Sequence, residues 1–436
     1  MLVAAFDDLR LRTELITDEA TFDRLAVEWD ALLEDSAQQV FFLRFSWNRS
    51  WWRHHSPPGA RPHILCCRDA SGRLMGIAPL YLRQHRLFGI PYVRELTFFG
   101  MGIELKTSEY MDFIARRGHE RAIATEMAAF LQRRNDWDRI WLHQVPSDSR
   151  FLSHLADIYD GHAAATYCDR APFIDTQVGW QSYKNSLGRS MRRNVEYYAR
   201  RLFKHRKCEF RRAATREEAG TALDALVRLH QLRWEAVGQP GSFSDPMLHT
   251  LLRDAVRDQF DSGRVLLWTL QVEGEIQAAL LGFLDNGVLH YFQKGFNPEL
   301  AKEDIGTALL GLCLRDSFED PAIRVFDFMG GGATYKELWA RDNRTTKTYV
   351  FDRLNLRTRL HDARAMVWHA SAVAFRKWVP DSLRAARRDF LISARARRQA
   401  RAIRNRTLQL LVPVFYYAAE STCVLSPVVE LNALFI

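Results

Sequence analysis

Residues 265–296 read VLLWTLQV-EG-EIQAALLGFL-DNG-VLHYFQKGF. They are followed by KEDIGTALLGLCLRDSF at 302–318 and IRVFDFMGGGATYKELWA at 323–340. Three apolar runs rich in β-branched and aromatic residues, parted by Glu273-Gly274 and Asp285-Asn286-Gly287, predict three strands joined by tight turns. The next stretch opens a helix at Gly306-Thr307-Ala308. A further strand follows, then the cluster Gly330-Gly331-Gly332 and a short helix from Thr334. A helix N-terminus set against the end of a sheet is a ready anion site, because its free N–H groups and its dipole favour a phosphate.

Working outward, Lys184 to Arg206 predicts one basic helix carrying Arg189, Arg192, Arg193, Arg200 and Arg201. The strand CEFRRA follows, then a helix to Val237 opened by the capping-box pair Thr215 and Glu218. Gln239-Pro240-Gly241 parts it from a second helix, DPMLHTLLRDAVRDQFDS. Upstream, residues 1–175 repeat a similar order. DEATFDRLAVEWDALLED and FSWNRSWWRHH are helical. PHILCCR and RLMGIAPLYLR form a hairpin around Asp69-Ala70-Ser71-Gly72, and VRELTFFG is a third strand. A helix and the strand RIWLHQV close that half. It has no phosphate-loop glycine between Phe99 and the helix near 119.

Length and composition agree with two domains plus an extension. The net charge of +9 is unevenly spread. Residues 353–406 hold 15 Lys and Arg against three Asp, a net +12, so the remainder is −3. Residues 382–406 read as an Arg-rich helix, and 408–436 as an apolar segment interrupted by Pro413, Glu420, Pro427 and Glu430, which argues against a membrane span. This tail is read either as a peripheral contact with an anionic membrane or as a helical cap. Arginines without interleaved aromatics argue against nucleic acid. The six cysteines lack metal-ligand spacing and sit mostly in apolar runs, so reduced thiols, a cytoplasmic setting and no metal are expected. The first residues lack the charged and apolar regions of a signal peptide. No Walker, HExxH, GxSxG or GxGxxG pattern occurs, which removes nucleotide hydrolysis, zincin, serine-hydrolase and dinucleotide readings.

Four phrases carry a resemblance: IAPLYL at 77–82, LHQLRW at 229–234, GFNPE at 295–299 and FDFMGGGATYKELWA at 326–340. In order and spacing they resemble GNAT acyltransferases, in particular the CelD/BcsL-like proteins of cellulose and exopolysaccharide loci, relatives of the Fem-type tandem transferases. The resemblance spans about residues 12–352. It implies an α/β fold of two tandem GNAT-like lobes, 1–175 without a donor site and 176–352 catalytic, with 353–436 as a helical extension. It implies acetyl-CoA as acyl donor and an amine or hydroxyl of a sugar or envelope component as acceptor. A Fem-like aminoacyl-tRNA-dependent transferase and a non-catalytic scaffold of a polysaccharide-synthesis complex are the rival readings.

The family's pyrophosphate loop, Q/R-x-x-G-x-G/A, falls on Glu303 to Ala308, with Gly306, Thr307 and Ala308 as donor-binding positions and Lys302 to offset the acid at Glu303. An ordinary helix start, where the dipole favours acids, fits the same residues. Tyr335 matches the family's proton donor to the departing thiolate, and it also fits a tyrosine packed under the sheet. Lys336 stands for an oxyanion or acidic-substrate contact, or for a solvated lysine. His290 is the candidate base on the fourth strand, against a structural histidine, since no glutamate occupies the family's base position. Arg233 and Trp234 are placed at the acceptor groove, or in packing. Asp327 either accepts a substrate amine or caps the glycine turn.

Overall fold

A computed structural model describes residues 10–366 apart from 88, 102–106, 160–162, 332–334, 354 and 365. The tail helix and apolar segment expected at 382–436 lie outside the described residues, as does Gly332.

The first lobe opens with β1 (Arg12–Ile16), α1 (Glu19–Arg24), α2 (Ala26–Glu34) and α3 (Phe45–His55). The single helix expected over 18–35 is broken at Leu25, whose N–H turns back onto Asp23 and Phe22. Then come β2 (Arg61–Pro62), β3 (Ile64–Arg68), β4 (Leu74–Ala78), β5 (Leu80–Leu87) and β6 (Ile90–Phe98). The run RLMGIAPLYLR is therefore two strands. Pro79 has no N–H for a ladder, and there the chain leaves one sheet for another. The lobe continues with β7 (Ile114–Ala115), α4 (Glu120–Arg133), β8 (Arg139–Pro146), α5 (Arg150–Ile158) and β9 (Ala163–Asp175). The sequence reading did not anticipate α5 and β9.

The second lobe begins with α6 (Trp180–Ser186) and α7 (Arg189–His205), two helices where one was expected. Extended backbone at Leu187 and Gly188 parts them. Next are β10 (Cys208–Arg212), α8 (Arg216–Ala236) and α9 (Pro246–Gln259). The capping box of α8 forms as expected, with Thr215 and Glu218 bonding each other's backbone N–H. The meander is β11 (Val265–Val272), β12 (Glu275–Asp285) and β13 (Val288–Phe296). It is followed by α10 (Ile305–Glu319), β14 (Val325–Asp327), α11 (Tyr335–Trp339) and β15 (Asp342–Asp352).

A small sheet runs β1-β3-β4-β7. An eleven-stranded sheet runs β10-β11-β12-β13-β14-β9-β15-β8-β6-β5-β2 through both lobes. At its centre the lobes exchange strands. β9, late in the first half of the sequence, pairs with β14, while β15 pairs with β8 of the first half and with β9. One apolar core fills the first lobe and continues under α8, α9 and one face of β11 and β12. A second lies between the other face and α7 and α10. Phe41 stacks on Phe283 at 4.2 Å, and Arg44 makes a buried two-pronged ion pair with Asp285 at 2.6 and 2.8 Å.

Candidate active site

β13 and β14 pair in parallel over only three positions, ending at His290 opposite Asp327. A register shift leaves Phe292 without a partner on β12, a bulge that re-aims the side chains after it. Past this point β13 no longer pairs with β14. Two regions meet there: the start of α10, and the space between the lobes.

At the start of α10, Asp304 takes a left-handed backbone (φ 55°), and its carbonyl accepts the N–H groups of Thr307 and Ala308 at 2.9 Å each. The amides of Ile305 and Gly306 make no hydrogen bond among the described residues. These are the donors an anion would meet at the positive end of the helix. A Cβ on Gly306 would stand 2.9 Å from the Phe296 ring, so only glycine fits without displacing it. Glu303, the acid that departs from the family pattern, is paired with Arg206 at 2.8 Å rather than with Lys302, which is exposed. Thr307 is half-buried, and Ala308 faces the second core.

Lys294 lies beside this turn. Its Nζ donates to the Gly306 carbonyl at 3.1 Å and faces the ring of Tyr335 at 5.4 Å. No carboxylate pairs with it among the described residues. Burial, with Arg233 nearby, lowers its pKa to about 7. Tyr335 shares a hydrogen bond with Tyr291 at 3.3 Å between hydroxyl oxygens, and burial raises its pKa. Arg233 sits over Phe296 at 5.0 Å and over Trp234 at 5.5 Å. The Trp234 indole donates to His230 at 2.9 Å.

Between the lobes is a cavity of about 130 Å³, lined by Ser108 and Glu109 from the first lobe, Ser242, Tyr291 and Gln293, and Gly330 and Lys336. Lys336 Nζ donates to the carbonyls of Phe328, Met329 and Gly330 at 2.8, 3.2 and 2.6 Å. Met329 is left-handed (φ 58°). The Gly330 N–H donates to Glu109 at 2.7 Å. The loop after β14 is thus held from both lobes.

Asp327 is fully buried. It accepts from Tyr110 at 2.9 and 3.1 Å, from the Met329 N–H at 2.7 Å and from Arg344 at 3.1 Å, so it caps the glycine turn. Burial nevertheless pushes its pKa up. His290 is enclosed beside it, with Nδ1 3.3 Å from the Phe283 carbonyl, and burial holds its pKa down.

Of the sequence candidates, the fold gathers Gly306, Thr307, Tyr335 and Arg233 around the start of α10, while Trp234 contacts Arg233 and bonds His230. Lys336 lines the inter-lobe cavity. His290, Asp327, Arg233 and Trp234 do not line it. Sequence reading gave no role to Lys294, although a lysine inside the apolar run VLHYFQKGF is a visible signal. Glu109 and Tyr110 carried no local signal.

Residues 189–337 match the acetyltransferase (GNAT) domain family. No curated protein matches the chain. Among solved structures, FemX superposes with a TM-score of 0.56 at 10% identity, covering 81% of this chain and 99% of that one. A conserved protein of unknown function from Bacteroides thetaiotaomicron VPI-5482 gives 0.49 at 9% identity, over 78% and 100%. The C-terminal domain of a putative lysylphosphatidylglycerol synthetase from Agrobacterium fabrum gives 0.48 at 11%, over 80% and 97%. Residues 189–337 are therefore similar to a GNAT-type acetyltransferase domain, set in a mixed α/β fold whose overall arrangement is shared with FemX. No helix among the described residues is long and apolar enough to cross a membrane.

Proposed function

We propose that this protein transfers an acyl group, acetyl in the simplest case, from acyl-CoA to an amine or hydroxyl held between the lobes. The observation that carries this reading is the pair of unengaged amides at Ile305 and Gly306, placed where β13 and β14 cease to pair. Those amides take the donor's pyrophosphate, and the Arg206–Glu303 pair removes the charge that would oppose it. The thioester then lies near the bulge at Phe292. The acceptor enters from the inter-lobe cavity past Glu109, Gln293 and Lys336.

Direct attack on the thioester needs no covalent intermediate. It needs positioning, a base to take the acceptor's proton and an acid to protonate the departing thiolate. Tyr335 keeps its proton at neutral pH and stands beside Lys294, which exchanges protons near pH 7. Lys336 fixes the loop against which the acceptor packs. By resemblance, the acceptor is a sugar or envelope component, and the process is cellulose or exopolysaccharide modification of the CelD/BcsL-like kind.

Titration with acetyl-CoA by calorimetry tests the donor site, with Gly306→Glu as control. Micromolar binding lost in the variant supports the reading, and absence of binding to folded protein rejects it. The likeness to FemX over both lobes favours a second reading, aminoacyl transfer from tRNA. Strongly salt-dependent RNA binding without an acetyl-CoA response would select it.

A further inference from the structure

We infer that His85, Glu95 and His361 form a binding site for a divalent transition-metal ion, with zinc as the best-fitting class. It lies at the opposite end of the large sheet from β13. His85 is on β5 and Glu95 on β6, one diagonal apart in the ladder that pairs Arg83 with Glu95 and His85 with Val93. His361 comes from a helical segment over 356–364 that follows β15. One ligand atom from each residue lies within 4.8 Å of the others, and His85 Nε2 is 3.1 Å from Glu95 Oε2. Zinc bonds of about 2.0–2.2 Å require the ligand atoms to draw closer together than the 4.8 Å that bounds their separation here.

The atoms behind the ligands carry the argument. Arg83 reaches a single carboxylate oxygen of Glu95, Oε1, at 2.8 Å from Nε and 2.5 Å from Nη2. That leaves Oε2 aimed at His85. The Tyr92 hydroxyl lies 2.8 Å from Nδ1 of His361 and accepts from Arg364 at 3.1 Å, so Nδ1 is engaged and Nε2 is the ring nitrogen left to ligate. Metal-binding carboxylates and imidazoles are oriented in this way, with the non-ligating atom engaged by an outer partner. Two imidazoles and one carboxylate leave a further coordination position for water. The bond closes a loop of more than 260 residues, so the ion clamps the segment after β15 onto the β5–β6 hairpin. The sequence reading expected no metal from the spacing of the cysteines, and these three ligands share no local spacing that would have pointed to them.

The untagged full-length chain, stripped with EDTA, is titrated with zinc chloride. One equivalent is expected to bind, and to be lost in His85→Ala and in His361→Ala but kept in Cys168→Ser. That last control removes the thiol lying 3.5 Å from His143. Tyr92→Phe weakens binding about tenfold. Because an alanine variant can lose its fold, amide exchange is also followed in the unsubstituted protein, where zinc is expected to slow the amides of 356–364. No uptake by folded protein, uptake undiminished in both folded histidine variants, loss in Cys168→Ser, or unchanged exchange at 356–364 would each overturn the site.

Discussion

Glu303 Oε1 lies 2.8 Å from Arg206 Nη2, an ion pair between the turn ahead of α10 and the residue that ends α7. Both partners are partly exposed, so the pair contributes little to folding. Its effect is electrostatic and local. It cancels an acid beside the amides of Ile305 and Gly306, where a pyrophosphate is proposed to bind. Arg206→Ala is therefore expected to leave the melting temperature nearly unchanged. It should weaken acetyl-CoA binding roughly fivefold at low salt and less at high salt. Glu303→Gln in the same background should restore the affinity. Calorimetry at low and high salt checks this, and an unchanged affinity in Arg206→Ala would remove the argument.

Lys294 gives a pH signature. Its pKa is about 7 in the folded protein against an ordinary 10.5. Between those values the unfolded chain binds the extra proton, so stability rises with pH across that window. Below pH 7 both states are protonated, and the folded one carries the full cost of burying the charge. Lys294→Met should therefore raise the melting temperature most below pH 7, with the gain shrinking toward pH 10.5. Melts at pH 6 and pH 9 that gain equally would contradict the assignment.

Lys336 ties three successive carbonyls of the loop after β14. Lys336→Met frees that loop beside the cavity without touching the start of α10. Misplacement on the ångström scale costs on the order of 10²-fold in rate. Turnover measured as thiol release should fall by about that factor, with acetyl-CoA affinity retained. Equal losses in both would place Lys336 at the donor instead.

Asp285→Ala leaves Arg44 buried without its main partner at the junction of the lobes. A loss of about 3–5 kcal/mol in urea unfolding is expected. Replacing both partners by apolar residues, Arg44→Met with Asp285→Leu, should recover most of it. A double variant as unstable as the single one would show that the pair does more than neutralise itself.

The sequence by itself determined what depends on neighbours along the chain. The turns at Glu273-Gly274 and Asn286-Gly287 fix the β11–β13 meander. Thr215 and Glu218 fix the start of α8, and Gly306 fixes the opening of α10. The short helix that Tyr335 and Lys336 open was legible because it follows a glycine cluster at the end of a strand. Tertiary structure alone decided the rest. The exchange of β9 and β15 depends on pairings between residues 150 to 213 positions apart, to which no local pattern points. Lys294 acquires its low pKa only because α10 and Tyr335 close over it, and Glu109 reaches the loop after β14 only because two lobes share one sheet. His85, Glu95 and His361 meet only when the segment after β15 folds back on the first lobe. Propensity and periodicity act over a few residues. Desolvation, counter-charge and ligand geometry are set by whatever the completed fold brings within a few ångströms.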